Sequence, residues 1–331
     1  MDQIREERDI DRLRRSAQAL AIISTWGGSG LFAALRERPR STAELPADPR
    51  AIAQTAPILV HLGLLESDGQ TWALTRTGQA LLEAGTIGGG TAEDALGDLA
   101  RLDPVVKEGG GARAADGSSR LTEGGVREDN PAAARVFMDM LFRRSAESVA
   151  ETARWMGERL PPHASVLDLG GGHGRYGHAL AERGHRVTLF DKPVCVDLAR
   201  ERYAGALEYR TGDFMRDDLG GPYDAALLSN IVHGMGPEEN AALLRRLHAV
   251  LRPRGLLVIK DMFLDEYGAN PEEAAFFNIM MLLYTRNGRS YRIEEMRRLC
   301  QEAGFSAPDH LYVTDHGFSL LMAARPVGLG C

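Results

Sequence analysis

The feature that most constrains this chain is an apolar run that ends in a cluster of glycines, Val166–Gly174. The pattern predicts a buried strand, a tight turn at the glycines and a helix that begins immediately afterwards. Glycine has no Cβ, so the backbone can approach a ligand closely, and the free N–H groups at the helix start attract an anion. We therefore expect Gly170 and Gly172 to contact a nucleotide-like ligand, and His173 to be an exposed loop residue.

Around this turn, the second half of the chain alternates between short apolar runs and stretches with helical spacing. This alternation predicts an α/β fold in which helices flank a mostly parallel sheet. The expected strands are Val166–Leu169, Arg186–Phe190, Leu207–Tyr209, Ala225–Leu228, Leu256–Ile259, Ala307–Val313 and Phe318–Ala324. The expected helices are Arg175–Arg183, Val194–Tyr203, Pro237–Leu251 and Ile293–Gly304, with one long helix over Pro131–Leu160 before the sheet.

Acidic and aromatic residues near the predicted strands distinguish two classes of ligand. Gly172–Gly177 satisfies the glycine spacing of dinucleotide sites, so NAD(P) is one alternative. Asp168, however, lies just ahead of the glycines, where a pyrophosphate would meet its negative charge. Asp191 could accept hydrogen bonds from ribose hydroxyls, while Asp213 and Phe214 could bind an adenine amino group and ring face. Although Asp213 could instead cap a turn and Phe214 pack in the core, we expect S-adenosylmethionine as the cofactor.

The first 90 residues have a different character. One helix is expected from near Ile10, two more over Asp48–Gln54 and Ala56–Leu62 after the capping-box sequence Ser41–Glu44, and then a hairpin that turns at Asp68-Gly69. Helices followed by a small hairpin predict a winged helix. The expected parts are this winged-helix domain at residues 1–90, a helical linker and substrate-pocket segment at 91–160, and the cofactor-binding α/β domain at 161–331.

Taken together, these features resemble the small-molecule O-methyltransferases, a family that includes plant caffeate and flavonoid enzymes and bacterial antibiotic-tailoring enzymes. The resemblance covers nearly the whole chain. Besides the winged helix and the long helix, it rests on Asp168–Gly174, Phe190–Pro193, Gly212–Phe214, Leu228–His233, Arg252–Gly255 and Gly288–Tyr291. It implies a Rossmann-like domain that binds S-adenosylmethionine, and a homodimer formed through the N-terminal domain.

The same resemblance implies that His233 is the general base that takes the proton from a substrate hydroxyl. The chain departs from the family around this residue. Gly234 and Met235 stand where the family often has Asp-Trp, and Ser290 stands where plant members have an acid that positions the histidine. Ser229, expected at the cofactor, replaces a lysine of the plant enzymes. We therefore expect His233 to lack a carboxylate partner, and the alternative is a histidine that only packs at a strand end.

An apolar set is expected to line a pocket for a flat acceptor: Phe137, Met138, Phe277, Asn278 and Met281. Methionine and aromatic residues at helical spacing more often form an ordinary core, which is the alternative. Asn278 is the more informative member, because an amide on an apolar helix needs a partner that a substrate oxygen could supply.

Composition argues against several other function classes. The formal net charge is −7, which does not favour the DNA-binding regulator that a winged helix also suggests. The three cysteines, Cys195, Cys300 and Cys331, are far apart, so neither a disulfide framework nor a metal site is expected. The charged N-terminus lacks a signal-peptide core, and apolar stretches such as Phe276–Tyr284 are too short to span a bilayer. We expect a cytoplasmic protein without nucleic-acid or membrane partners.

The sequence therefore predicts an S-adenosylmethionine-dependent methyltransferase that acts on a hydroxyl group of a small, aromatic secondary metabolite. Methylation at nitrogen or carbon is one alternative, and a non-methylating reaction with the same cofactor is another. The residues do not separate these alternatives, because nothing in the sequence identifies the acceptor atom.

Overall fold

The computed structural model describes residues 4–87, 97, 99–109, 111, 131–312 and 318–326. The chain divides into two compact units, residues 1–107 and 108–331, and each is described by itself. Part of the predicted linker at 91–160 lies outside the described residues, as does the end of the predicted strand Ala307–Val313.

The first unit consists of helices and a small antiparallel sheet. Its helices are α1 (Glu7–Gly28), α2 (Leu31–Ala34), α3 (Pro49–His61) and α4 (Arg76–Glu83), and α5 (Leu102–Glu108) lies at its C-terminal boundary. Its strands are β1 (Arg40–Ser41), β2 (Leu65–Ser67) and β3 (Thr71–Leu74), which pair in the order β1-β3-β2. The largest side chains of its core are Trp26, Phe32, Ile52, Leu59 and Leu65.

Short-range polar contacts fix the turns of this unit. Ser41 and Glu44 form the predicted capping box, in which the Ser41 N–H donates to Glu44 Oε2 at 2.8 Å. Asp68 Oδ1 accepts the N–H of Thr71 at 2.7 Å, which closes the predicted hairpin between β2 and β3.

Helix α3 differs from the prediction. Separate helices over Asp48–Gln54 and Ala56–Leu62 are wrong, because the structure has one helix that continues through Pro57. Proline lacks an N–H and removes one helical hydrogen bond. The buried face nevertheless runs from Ile52 to Leu59, so core packing on both sides of the proline stabilises a single helix.

The second unit is built on a seven-stranded sheet. The strands are β4 (Ser165–Leu169), β5 (Arg186–Asp191), β6 (Glu208–Thr211), β7 (Tyr223–Ser229), β8 (Leu251–Met262), β9 (Asp309–Tyr312) and β10 (Phe318–Ala324). Their order is β6-β5-β4-β7-β8-β10-β9. Every pair from β6 to β8 is parallel, and β10 lies antiparallel between β8 and β9. The predicted α/β fold with a mostly parallel sheet is confirmed.

Helices cover both faces of this sheet. They are α6 (Pro131–Arg144), α7 (Ala146–Gly157), α8 (Arg175–Ala181), α9 (Pro193–Arg202), α10 (Pro237–Val250), α11 (Glu272–Tyr284) and α12 (Ile293–Glu302). Side chains alternate along a strand, so Val166 packs with Ala153 of α7 and Leu180 of α8. The next residue, Leu167, belongs to the opposite core, which includes Leu243 of α10.

The single helix predicted over Pro131–Leu160 is wrong, because the helix breaks at Ser145 into α6 and α7. The carbonyl of Phe142 accepts from Arg175 Nη1 at 2.6 Å and from the Ser145 hydroxyl at 3.0 Å. These donors replace the backbone N–H that would continue the helix. The break lets α6 pack on α9 while α7 packs on α8.

Parallel strands place polar residues at one edge of the sheet. The carboxyl ends of β4, β5, β7 and β8 lie side by side, with Ser229 paired to Lys260 in register. Successive side chains point to opposite faces, so Lys260 and Asp261 project to different sides of β8. This edge contains the candidate site.

Candidate functional site

The turn after β4 has the tight geometry that its glycines predict. Gly170 has φ +70° and Gly172 has φ +51°, a region that other residues rarely adopt. A Cβ on Gly170 would also stand 2.2 Å from Cδ1 of Ile231. A second reason therefore favours glycine at this position: Ile231, in the segment that leads from β7 to His233, lies where a side chain on residue 170 would begin.

Asp191, the last residue of β5, lies against the same turn. Its Oδ2 accepts the N–H of Gly172 at 2.8 Å and its Oδ1 accepts the N–H of Lys192 at 2.7 Å. The side chain is buried, and burial raises the pKa of Asp191. Its carbonyl accepts the N–H of Gly212 at 3.1 Å. Three of the segments predicted to hold the cofactor thus meet at Asp191.

Asp168 lies fully buried beneath the turn. Neither carboxylate oxygen makes a hydrogen bond of normal geometry within the part of the chain that the structure describes. Burial raises the pKa of Asp168 to about 7, the Asp191 carboxylate adds to the shift, and the nearby Gly177 N–H offsets part of it. Because a buried carboxylate without partners is costly to keep, the amino group of a ligand is a suitable partner for Asp168.

The other predicted cofactor residues have different surroundings. Asp213 is exposed after β6, and its Oδ1 accepts the N–H of Met215 at 2.8 Å. It therefore caps this turn. Phe214 packs, partly buried, against the core of the sheet. Ser229 ends β7, and its hydroxyl oxygen is buried near Tyr176. Contacts of these three residues with a ligand stay predictions.

His233 lies in a 3₁₀ turn, Val232–Gly234, that follows β7. Its Nδ1 is 2.7 Å from Oδ1 of Asp261, and its backbone N–H donates to Asp261 Oδ2 at 3.3 Å. The expectation that His233 lacks a carboxylate partner is therefore wrong. An ionised carboxylate only accepts hydrogen bonds, so this contact assigns the ring hydrogen to Nδ1 and leaves the lone pair on Nε2.

The surroundings of Asp261 favour its charged form. Burial alone would raise the pKa of Asp261, but the His233 ring, the Met262 N–H and Lys260 hold it below its ordinary value. Asp261 is 1% exposed, whereas the His233 side chain is 18% exposed. The pair thus combines a buried fixed charge with a ring that solvent or a ligand can reach.

The sequence pattern does not predict Asp261 as a strand residue or as the partner of His233, because the apolar run of the fifth strand ends at Ile259. The structure extends β8 to Met262, so Lys260 and Asp261 belong to the strand. The available signal is a charged pair directly after an apolar strand. Such a pair places an acid at the carboxyl edge next to β7, which is the strand that leads to His233.

Lys260 projects to the other side of β8, and it is 1% exposed. Its Nζ donates to Oδ1 of Asn230 at 2.9 Å and lies 5.8 Å from the ring centre of Tyr176. Burial lowers the pKa of Lys260 to about 7, although Asp261 acts in the opposite direction. Asn230 has φ +59°, so the lysine supports an unusual backbone conformation between β7 and His233.

His173 is buried, at 6% exposure, and the expectation of an exposed loop residue is wrong. Its ring stacks on Tyr176 at a centroid distance of 6.1 Å and meets Phe142 edge-on at 5.7 Å. Burial lowers the pKa of His173 to about 4, with Arg202 and Arg175 adding to the effect. The reason for the burial is tertiary, because Phe142 comes from α6.

Two of the predicted acceptor residues lie on α6. Met138 belongs to a small buried cluster with Cys195 and Leu198 of α9, and Phe137 packs against it. The sulfur of Met138 lies 3.2 Å from the position of a Cβ on Gly172. These residues therefore lie beside the glycine turn.

The other three lie on α11. Phe277 meets the His233 ring at a centroid distance of 4.9 Å and an interplanar angle of 88°. Oδ1 of Asn278 accepts the N–H of Ser290 at 2.7 Å, so the chain itself satisfies this oxygen. Met281 is buried. Asn278 and Ser290 also line an open cavity of about 650 Å³. Phe277 is therefore in direct contact with the predicted base.

The described residues contain no group of three or more His, Cys, Asp or Glu side chains that could hold a metal ion. In the same residues, no helix combines the length and the apolar character that a membrane span requires.

Comparison with known proteins gives consistent matches. The model of the family described as O-methyltransferase domain matches residues 100–306. Acetylserotonin O-methyltransferase of Mus musculus is 33% identical over 182 residues, which cover 52% of this chain and 46% of the mouse protein. The match thus spans less than half of that relative. The tetracenomycin polyketide synthesis 8-O-methyl transferase of Streptomyces glaucescens is 28% identical over 298 residues, covering 83% of this chain and 84% of that protein.

A solved structure extends the likeness to the fold. The structure of PigF with SAH has a TM-score of 0.82 and 21% sequence identity, and covers 97% of this chain and 100% of that chain. At this identity the likeness shows that the two chains share a fold.

Proposed function

This chain belongs to the O-methyltransferase family, and on that premise we propose that it transfers a methyl group from S-adenosylmethionine to a hydroxyl group of a small, aromatic acceptor. The observation that carries the proposal is the pair of His233 and Asp261, with Nδ1 and Oδ1 2.7 Å apart. This pair lies at the same sheet edge as the glycine turn, so a base and a nucleoside-binding segment are neighbours.

The glycine turn fits the cofactor in its shape and in its polar groups. Gly170 and Gly172 have the positive φ angles of a tight turn, and without side chains they let a ligand approach the backbone of the turn closely. The unpaired oxygens of Asp168 suit an amino group. Each Asp191 oxygen accepts one backbone N–H and retains a lone pair for a ribose hydroxyl. The proposal further assigns Gly172, Asp213, Phe214 and Ser229 to the cofactor.

When bound, S-adenosylmethionine supplies a methyl group activated by a positively charged sulfur. The remaining task of the chain is to align an acceptor oxygen and to remove its proton. His233 accepts that proton on Nε2, and Asp261 holds the Nδ1 hydrogen and stabilises the positively charged ring. General-base catalysis of this kind contributes about 10²–10⁴ in rate.

We propose that Phe277, Asn278 and Met281 of α11, with Phe137 and Met138 of α6, bind the acceptor. The edge-on contact of Phe277 with His233 supports an aromatic acceptor, because a flat ring can continue the same packing. Aliphatic alcohols would gain less from this arrangement.

The direct test combines product analysis with a histidine variant. In a panel of phenols, amines and carbon acids, the wild-type protein should add one methyl group per molecule to phenols and release one demethylated cofactor per product. His233→Ala should bind the cofactor as wild type does and lose most turnover, whereas His248→Ala, at a ring packed on Phe305, should keep it. Full activity of His233→Ala would contradict the role of His233 as the base. Methylation of only the amines or carbon acids in the panel would show that the acceptor atom is nitrogen or carbon and not a hydroxyl oxygen.

We propose that the first unit is a winged-helix domain that forms a homodimer. Large apolar side chains are exposed on it, among them Leu20, Ile58 and Leu62 at 43%, 38% and 42%. Exposed large apolar side chains that lie together are typical of interfaces. Light scattering coupled to gel filtration should give twice the chain mass at micromolar concentration, and the mass of one chain would contradict the proposal.

A further inference from the structure

We propose that Asn240 and Tyr291 are positioning residues, which hold the turn of His233 so that Nδ1 stays on Asp261 and Nε2 stays available to the acceptor. The inference rests on the proposed function for its catalytic consequence. Its structural part concerns only how the chain orients one imidazole ring.

The turn that carries His233 has little hydrogen bonding of its own. It consists of three residues, and its internal bonds are Gly234 N–H to Ile231 O at 3.1 Å and Met235 N–H to Val232 O at 3.4 Å. The second distance is long for a hydrogen bond of this kind. A turn with so few internal bonds needs external partners to keep one conformation.

Two other parts of the unit supply those partners. Asn240 of α10 donates from Nδ2 to the Val232 carbonyl at 2.9 Å. The hydroxyl of Tyr291 donates to the Met235 carbonyl at 2.7 Å. The backbone N–H of Arg289 donates to the His233 carbonyl at 2.8 Å. The carbonyls of Val232, His233 and Met235 are thus bound from α10 and from the segment before α12.

The burial of the two side chains indicates a specific role. Asn240 is 0% exposed and Tyr291 is 1% exposed. Burying an amide or a phenol is unfavourable unless it is hydrogen-bonded, and an apolar residue of similar size would avoid this cost. The NH₂ of Asn240 and the hydroxyl of Tyr291 both donate to the same turn of backbone, while Asn240 Oδ1 has no hydrogen-bond partner among the described residues.

The backbone around Tyr291 shows how closely the turn is held. A Cβ on Gly288 would stand 2.4 Å from the carbonyl oxygen of His233. The segment from Gly288 to Tyr291 therefore lies directly against the turn, and a glycine is required at that contact. The His233 ring is fixed from one side by Asp261 and its backbone from the other by this segment.

Neither Asn240 nor Tyr291 binds the ring of His233, so their loss should act through its orientation. Tyr291→Phe removes one hydroxyl and keeps the ring that fills the core. Tyr223→Phe is a matched control, because Tyr223 is also buried in the same core and its hydroxyl donates to a carbonyl, that of Leu219, at 2.9 Å. A comparison of the two variants separates a general loss of stability from a loss of positioning.

The experiment measures kcat, the Kd for the cofactor and the ¹⁵N chemical shifts of the His233 ring in both tyrosine variants and in Asn240→Leu. Tyr291→Phe and Asn240→Leu should lower kcat about 10-fold to 100-fold, since small misplacements of a reacting group have effects of this size. The cofactor Kd should change less than twofold. The ¹⁵N shifts of the His233 ring should move from those of a single tautomer, with hydrogen on Nδ1, toward those of a mixture. Tyr223→Phe should change neither kcat nor these ring shifts.

A kcat and a ring spectrum equal to those of Tyr223→Phe would overturn the inference. The ring spectrum requires no acceptor and no turnover. If the wild-type chain methylated nothing, the spectrum would still judge the positioning roles of Asn240 and Tyr291, while the proposed function would fail on its own measurement.

Discussion

At the residue scale, the behaviour of His233 depends on one buried carboxylate. Asp261 accepts hydrogen bonds from both the ring and the backbone N–H of His233. The carboxylate thus fixes the tautomer and opposes the charge that the ring gains with a proton. Because Asp261 is part of β8, a rigid central strand sets its position.

Asp261→Asn tests this dependence. The amide has nearly the same shape, so folding should change little, but its charge is lost and its NH₂ can turn the ring to the wrong tautomer. We expect kcat to fall about 100-fold, with the cofactor Kd unchanged. Asp224→Asn is the matched control, because Asp224 bonds Ser165 and Arg252 at the opposite end of the sheet. Equal kcat values for the two variants would contradict the role of Asp261.

Asp168 gives a prediction for stability against pH. Its pKa is raised by burial from 3.8 to about 7, so the folded, cofactor-free chain binds a proton that the unfolded chain releases. The contribution of Asp168 to stability is therefore complete below the unfolded pKa and is lost as pH rises toward 7. The free energy of unfolding of Asp168→Asn relative to wild type should rise over this range by about 4 kcal/mol at most, since one pKa unit corresponds to about 1.4 kcal/mol.

Urea unfolding at a series of pH values measures this difference, and Asp224→Asn again provides the control. Burial would raise the pKa of Asp224, but the Ser165 hydrogen bonds and Arg252 hold it below its ordinary value of 3.8. The stability difference of Asp224→Asn should therefore be flat above pH 3.8 and change only at lower pH, with the opposite sign. Asp168→Asn should also bind the cofactor more weakly. A flat difference for Asp168→Asn would show that the carboxyl has ordinary titration in the folded chain.

At the scale of elements, the glycine turn and the segment after β7 depend on each other. Gly170 has both a positive φ and a neighbour, Ile231, at its Cβ position. Gly205 has a similar φ of +78° and open space around it. The two glycines therefore separate the cost of the backbone conformation from the cost of the close approach.

Gly205→Ala should lower the free energy of unfolding by about 1 kcal/mol, the cost of its conformation. Gly170→Ala should lower it by roughly 2–4 kcal/mol, since the clash adds to the strain. Ile231→Ala in the Gly170→Ala background should restore part of the difference, which a double-mutant cycle measures. Equal losses for both glycines would contradict the close packing of the turn on Ile231.

The elements that local sequence predicts are those whose signals are local. The strands β4, β5 and β7 follow from short apolar runs between helical stretches, and the turn of β4 follows from its glycines. The break at Ser145 could not be predicted in this way, because the bond from Arg175 to Phe142 joins residues 33 positions apart. The end of β8 could not be predicted for another reason. Lys260 and Asp261 are charged, as residues of a loop often are, although the fold buries them.

At the scale of the whole molecule, the sequence predicts the α/β unit with its cofactor segments but not how the His233 environment is completed. The predicted cofactor segments meet because they lie at the carboxyl ends of adjacent parallel strands. The residues in contact there are Gly172, Asp191 and Gly212. The contacts of His233 come from β8, α10 and the segment before α12, which are distant in sequence. Similarly, His173 is buried only because α6 packs beside the turn.

The proposed function requires the glycine turn of the second unit to hold S-adenosylmethionine next to His233. Isothermal titration calorimetry of the purified chain with S-adenosylmethionine, its demethylated product and NAD measures this binding. We expect both sulfur nucleosides to bind in a one-to-one ratio, and Asp191→Ala to weaken both while His233→Ala weakens neither. Binding of NAD, with no binding of either sulfur nucleoside at millimolar concentration, would contradict the account.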